Sequence, residues 1–224
     1  MKLKLVIVDD HPLVREGLKR VLEESETMVT VIGEASDVEE LYEVLKDQQP
    51  DLIILDLELP GASGLEALKG LKSKYPEIPI LIFSMHSEER FGVRVLKAGA
   101  SGFITKTSIP EELEKAMDVI LNKKKKYVSA NVAEALAEQV NSDISQPLHE
   151  TLSDREFEVM CMIASGEKIS DIAEALNLSV RTIHTYRSRL LEKMNLHSNV
   201  EIAHYAIINN LISNPEEKYK PVRD

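Results

Sequence analysis

Residues 3–18 read LKLVIVDDHPLVREGL. The opening run is Leu, Val and Ile with a single lysine, the composition of a strand buried on both faces. It stops on Asp9 and Asp10, and Pro12 then opens a stretch in which Val14, Leu18, Val21 and Leu22 recur at helical spacing. A buried strand that feeds straight into a helix is the building unit of a parallel sheet. The unit repeats: Val- and Ile-rich runs stand at 29–34, 52–55, 78–84 and 102–105, with helical stretches between them and helix starts at Asp37 and Pro110. The pattern predicts an α/β domain, a five-stranded parallel doubly wound sheet with helices on both faces. Such sheets place their working residues at the carboxyl ends of the strands.

The chain has 224 residues, enough for two domains that each bury a core. Its net charge of -11 argues at first against nucleic acid, but the acidity is uneven: -9 falls in residues 1–120 and only -3 in 150–224. Within the latter, 180–195 carries Arg181, Arg187, Arg189 and Lys193 against Glu192 alone, a local positive strip. No apolar run approaches bilayer length, and the first one ends in two aspartates, so a soluble, cytoplasmic protein without a membrane partner is expected. The single cysteine, Cys161, lies among Met160, Met162 and Ile163 and reads as a small core residue. The histidines show no metal-ligand spacing that would suit zinc.

The strand ends are consistent with one another. Strand one ends in Asp9 and Asp10, strand three in Asp56, strand four in Ser84 and strand five in Lys106. Three carboxylates at one edge repel and raise one another's pKa unless a cation joins them, and hard oxygen ligands suit Mg²⁺. Asp56 can then attack phosphorus while Lys106 and the metal hold the equatorial oxygens, and the hydroxyl of Ser84 can hydrogen-bond the transferred group. Taken singly, each residue has an ordinary reading as a helix cap, a turn residue or a solvated charge.

The words VIVDDHPLVREGL (6–18), DLIILDLELPGASGLE (51–66), ILIFSMHS (80–87) and KAGASGFITK (97–106) resemble the receiver domains of two-component response regulators, over residues 1–122. The resemblance implies a flavodoxin-like fold and makes Asp56 the phosphoacceptor. It assigns Mg²⁺ to Asp9, Asp10, Asp56 and the backbone carbonyl of Glu58. Ser84 matches the switch hydroxyl, Lys106 the lysine of the site and Phe103 the aromatic switch on strand five. Pro60 and Gly64 fall where the loop after the acceptor is shaped. Departures from the usual pattern are Met85 after the serine, Thr107 in place of proline after the lysine, and Glu58 and His86 flanking the phosphoryl position, where they bear on access of water.

Residues 123–149 read as a linker with one helix: a lysine run at 123–126, an amphipathic stretch with Val132, Leu136 and Val140, then the polar NSDISQPLH. Beyond it, Ser153 and Glu156 form a capping box ahead of a helix that ends near Gly166. A short helix carries Ile169, Ile172, Ala173 and Leu176, Asn177–Ser179 make a tight turn, and a third helix sets Ile183, Tyr186, Leu190 and Met194 opposite Arg181, His184, Thr185, Ser188 and Glu192. That arrangement suits major-groove reading, with Arg187, Arg189 and Lys193 as candidates for phosphate contacts, yet periodicity alone equally allows a plain helical bundle. LSDREFEVMCMIASG (152–166) and ISDIAEALNLSVRTIHTYRSRLLEKM (169–194) resemble LuxR-type helix-turn-helix domains over 150–212, leaving 213–224 as a tail. Together with the receiver-like half, the chain resembles the NarL/FixJ class. The resemblance turns Arg181, Thr182, His184, Thr185 and Ser188 toward the bases. In such domains the last helix often supplies a dimer contact, and Ile202, Tyr205 and Ile208 are apolar residues placed for that or for the core.

The expected protein is therefore not an enzyme beyond Mg²⁺-dependent self-phosphorylation and slow self-dephosphorylation. It is a transcriptional regulator, phosphorylated on Asp56 by a cognate sensor histidine kinase, that binds double-stranded DNA as a homodimer. One alternative is a phosphorylation-independent DNA-binding regulator whose receiver only dimerises. Another, an aspartyl-phosphate hydrolase with Glu58 as second acid, fits the strand-one acid pair and the helix-turn-helix poorly.

Overall fold

The computed structural model describes residues 2–25, 27–60, 63–108, 110–141, 147–209 and 211–212, with side chains except at 89, 90 and 138–141. The expected tail at 213–224 lies outside the described residues. The chain forms two compact units, Met1–Asn141 and Ser142–Asp224.

In the first unit β1 (Leu3–Val8), β2 (Val29–Ala35), β3 (Leu52–Leu55), β4 (Ile80–Ser84) and β5 (Gly102–Thr105) form one parallel sheet in the order β2-β1-β3-β4-β5. β4 starts two residues later than the apolar pattern suggests because Pro79 has no N–H to give a ladder and restricts Ile78 before it. Side chains alternate across the sheet. Leu5, Ile7, Leu52, Ile54, Leu81 and Ile104 face a core closed by α1 (Pro12–Glu24) and α5 (Pro110–Met117). The alternate residues Val6, Ile53, Leu55, Ile82 and Phe103 are buried on the opposite face, where Val44 of α2 (Val38–Asp47) packs over Gly33 of β2. α3 (Gly64–Lys74) and α4 (Glu88–Lys97) complete the crossovers.

Local signals set the helix ends. Asp37 caps α2 by accepting from the Glu40 N–H at 2.8 Å. α1 enters through His11 with Pro12 in its first turn. Gly64 opens α3 because any Cβ there would collide with the backbone of Leu57.

The linker reading is divided by the structure. A π-helical turn, Asp118–Asn122, follows α5, and residues 123–141 with α6 (Ala130–Asn141) belong to the first unit rather than to a free tether. Among the described residues of the second unit, the first element is a 3-10 turn (Leu148–Thr151), followed by α7 (Asp154–Ala164), α8 (Ile169–Ala175), α9 (Val180–Met194) and α10 (Asn199–Ile208). Ser153 and Glu156 make the expected capping box. α7 packs on α8, α9 and α10, and α8 packs on α9, with Cys161, Ala173, Ile183, Leu190, Met194 and Ile202 buried. Gly166, Asn177 and Asn195 stop α7, α8 and α9 with positive φ, a conformation that glycine and asparagine reach at little cost.

Candidate phosphoacceptor site and nucleic-acid interface

The sheet register brings the strand-end residues together. Val8 pairs with Leu55, so the next residues, Asp9 and Asp56, emerge side by side, and the Asp56 N–H donates to Val8 O at 2.9 Å. Ser84 pairs with Thr105, and the Lys106 N–H donates to Ser84 O at 2.8 Å. Asp9 and Asp56 are each 1% exposed and Ser84 is fully buried. Lys106 reaches between the two aspartates, its Nζ 2.7 Å from Asp9 Oδ2 and 2.7 Å from Asp56 Oδ2. Asp10 is half-buried, and its Oδ1 faces His11 Nδ1 at 2.6 Å.

Burial pushes the Asp56 carboxyl above the usual carboxylate range, partly opposed by Lys106, reinforced by Asp9, and eased by a hydrogen bond from the Glu58 backbone. Burial acts to lower Lys106, but Asp56 and Asp9 outweigh it and hold the ammonium above its ordinary value. Three carboxylate oxygens of the cluster, Asp9 Oδ2, Asp10 Oδ1 and Asp56 Oδ1, are buried without a hydrogen-bond partner among the described residues, the first two beside Lys106 Nζ and His11 Nδ1. Asp9, Asp10, His11 and Asp56 bring potential ligand atoms within 4.8 Å of one another. A buried, unpartnered carboxylate oxygen beside two further carboxylates is a donor set for a hard divalent cation, so these residues fit Mg²⁺.

Flanking groups shape the mouth. Ser84 Oγ accepts from the His86 N–H at 3.3 Å. The His86 ring stacks on Phe91 with centroids 4.2 Å apart, and its Nε2 lies 3.6 Å from Glu58 Oε1. Phe103 is buried. A residue missed in the sequence, Arg15, donates from Nη1 to the Asp9 carbonyl oxygen at 2.5 Å and from Nε to Glu34 at 3.1 Å. The available signal was its position one helical turn past the His11 cap, facing the strand end.

On α9, Arg181, His184, Thr185, Ser188 and Arg189 are exposed and Thr182 is half-buried, the first four at i, i+3, i+4 and i+7 on one stripe. Ser179 caps the helix through the Thr182 N–H at 3.0 Å. Thr185 Oγ1 donates to Arg181 O at 3.0 Å. Two of the expected phosphate-contact residues are engaged inside the unit: Arg187 Nε donates to Asn199 Oδ1 at 2.7 Å, and Lys193 Nζ lies 2.6 Å from Glu156 Oε2. The apolar set expected on α10 splits. Ile202 is core, Tyr205 turns its hydroxyl to His149 Nδ1 at 3.0 Å, and the outward stripe is Val200, His204 and Ile208, with Val200 77% and Ile208 65% exposed.

Comparison with known proteins agrees with both halves. The family described as "Response regulator receiver domain" matches residues 5–118, and that described as "Bacterial regulatory proteins, luxR family" matches 150–206. The chain belongs to the two-component response regulators. Its two domains place it in their NarL/FixJ-type class, whose members regulate transcription. It is 33% identical to response regulator UvrY of Escherichia coli K12 over 93% of this chain and 95% of that protein. It is 33% identical to response regulator GacA of Pseudomonas aeruginosa over 94% and 98%. Among solved structures, RcsB of Salmonella enterica serovar Typhimurium, bound to the rprA promoter in the presence of the phosphomimetic BeF3-, is 26% identical over 92% of this chain and 98% of that one, with a TM-score of 0.63. No helix among the described residues is long and apolar enough to cross a membrane.

Proposed function

We propose that this response regulator accepts a phosphoryl group on Asp56 from a sensor histidine kinase and thereby controls sequence-specific binding of α9 to double-stranded DNA. The observation that carries the reading is the asymmetry of the Asp56 carboxylate: Oδ2 is held by Lys106 at 2.7 Å, while buried Oδ1 has no hydrogen-bond partner among the described residues. One oxygen is oriented and the other is left for chemistry. That oxygen attacks phosphorus in line. An O–P bond forms, the P–N bond of a phosphohistidine breaks, and the leaving imidazole keeps the electron pair and takes a proton from solvent.

Lys106 holds an equatorial oxygen of the transferring group, and Ser84 turns its hydroxyl from the His86 N–H toward the phosphoryl oxygen. Asp9, Asp10, Asp56 and the backbone carbonyl of Glu58 would hold Mg²⁺, which when bound supplies positive charge that keeps Asp56 ionised and offsets charge on the phosphoryl oxygens. Glu58 and His86 stand over the mouth and govern entry of water, and with it the lifetime of the acyl phosphate. Phe103 is the aromatic element of the switch.

In the second unit, Arg181, Thr182, His184, Thr185 and Ser188 face base edges and Arg189 meets phosphate, joined by Arg187 and Lys193 where they leave Asn199 and Glu156. Binding as a homodimer places two α9 helices about 34 Å apart, one turn of DNA. RcsB bound to a promoter in the presence of the phosphomimetic BeF3- is a precedent for a relative on DNA.

The test is intact mass after incubation with acetyl phosphate and Mg²⁺, beside Asp56→Asn. A gain of one phosphoryl group, absent in the variant and without metal, is the expected result. An unmodified wild type that still binds DNA would replace this reading with a phosphorylation-independent regulator whose receiver dimerises.

A further inference from the structure

After the π-helical turn the chain reverses through Lys124, held in the left-handed region at φ 52°, and is stitched along the edge of the first unit. Tyr127 N–H donates to Ser101 O at 2.7 Å, Lys126 Nζ to Leu96 O at 3.0 Å, and Tyr127 Oη to Glu112 Oε1 at 3.2 Å. Two glycines make room for this segment. A Cβ on Gly102 would lie 3.0 Å from Tyr127 Cβ, and a Cβ on Gly92, in the middle of α4, would overlap Val132 of α6. Glycine inside a helix is about 1 kcal/mol less favourable than alanine, so this one serves close approach. Val132 is buried, and Ser129, whose Oγ receives the Val132 N–H at 3.3 Å, hydrogen-bonds Glu88, the first residue of α4.

The same end of α4 is tied to the phosphoryl site. Ser84 Oγ receives the His86 N–H, and the His86 ring lies on Phe91 one turn into α4. A path of direct contacts therefore runs from Ser84 through His86 and Phe91 into α4, and from Glu88 and Gly92 of α4 into α6.

We infer that α6 is a latch: docked on α4 through the Val132–Gly92 and Ser129–Glu88 contacts, it comes free when Ser84 turns to the phosphoryl group and draws the 84–87 loop with it. Docked, α6 makes its own end the origin of the tether to the DNA-binding unit. Released, the tether starts near Tyr127, and the longer linker changes the effective concentration at which that unit meets DNA or a second copy. The inference rests on the phosphoacceptor reading for its trigger.

Hydrogen exchange of residues 129–137 in the full chain tests it, with and without Mg²⁺ and beryllofluoride, for wild type, Gly92→Ala and Ser129→Ala. Gly92→Ala adds helix propensity to α4 while displacing Val132, so unfolding of the receiver does not confound it. Exchange in α6 is expected to rise at least tenfold on adding beryllofluoride to wild type, and to be raised by a similar factor in both variants beforehand. Unchanged α6 exchange in a protein whose Asp56 accepts a phosphoryl group from acetyl phosphate overturns the latch and leaves the phosphoacceptor standing. If Asp56 is not modified, the phosphoacceptor reading and the release both fall. Variants that exchange like wild type before any addition overturn the docking contacts themselves.

Discussion

Lys106 stands 2.7 Å from carboxylate oxygens of both Asp9 and Asp56, two acids that are almost wholly buried. Removing one partner from such a cluster leaves uncompensated buried charge and typically costs about 3–5 kcal/mol. Lys106→Ala is therefore expected to lower stability by about 3 kcal/mol in urea unfolding with chelator present, and added Mg²⁺ should return more stability to the variant than to the wild type. An unchanged urea midpoint would mean that the two carboxylates are compensated elsewhere. Tyr127 gives a pH signature. Burial, and then the nearby Glu112 and Glu88, push its hydroxyl up to about 12, whereas an unfolded tyrosine ionises near ~10. The folded state thus keeps the proton longer; its stabilisation is complete below pH ~10 and is lost as pH climbs through the folded value. Wild type should lose about 2 kcal/mol more than Tyr127→Phe across that alkaline window, read from urea midpoints at stepped pH. Parallel curves would show that the hydroxyl ionises as it does in the unfolded chain.

At the scale of elements, Ser153 caps α7 while Glu156 returns the bond to the Ser153 N–H at 2.8 Å and also pairs with Lys193 of α9. Losing a cap costs about 1 kcal/mol, so Ser153→Ala should lower the unfolding free energy of the second unit by about that much, and Glu156→Ala by more because Lys193 loses its partner as well. Equal losses would mean the Lys193 contact contributes nothing. The box was legible because its signature is local, S-x-x-E before an apolar run. The strands were legible for a related reason: buried parallel strands are runs of Val, Ile and Leu, and a polar residue ending such a run stands out, as Asp9, Asp56, Ser84 and Lys106 do. α6 was legible as a helix but not as part of the first unit, since its socket is Gly92, forty residues earlier and silent in any apolar pattern. Ile202 and Ile208 could not be separated because α10 is apolar on nearly every side, leaving no asymmetry to read. The ties of Arg187 and Lys193 are tertiary, and periodicity carries no trace of them.

For the whole molecule the central tension is electrostatic: a chain of net charge -11 with a proposed DNA-reading face of a few cations. At physiological salt the Debye length is about 8 Å, so the acidity of residues 1–120 is largely screened from a phosphate backbone beyond that distance, while cations in contact act at full strength. Binding should then depend on few phosphate contacts and show a shallow salt slope, each contact contributing about -0.9 to the slope of log K against log salt. Two exposed cations of α9, Arg181 and Arg189, differ in position, and the proposed roles follow that difference. Arg181 lies mid-stripe with His184, Thr185 and Ser188, in the first turn of α9, which is proposed to enter the groove, whereas Arg189 stands at the edge of that stripe. Once an operator is in hand, fluorescence anisotropy at three or more salt concentrations distinguishes them. Arg189→Ala should weaken operator and random DNA alike and flatten the slope by about 0.9. Arg181→Ala should instead lose about 1–3 kcal/mol of operator binding while random DNA is nearly unaffected, since a base contact carries discrimination and a phosphate contact does not. If both variants flatten the slope without changing the operator-to-random ratio, α9 only grips the backbone, and sequence must be read by another element of the second unit.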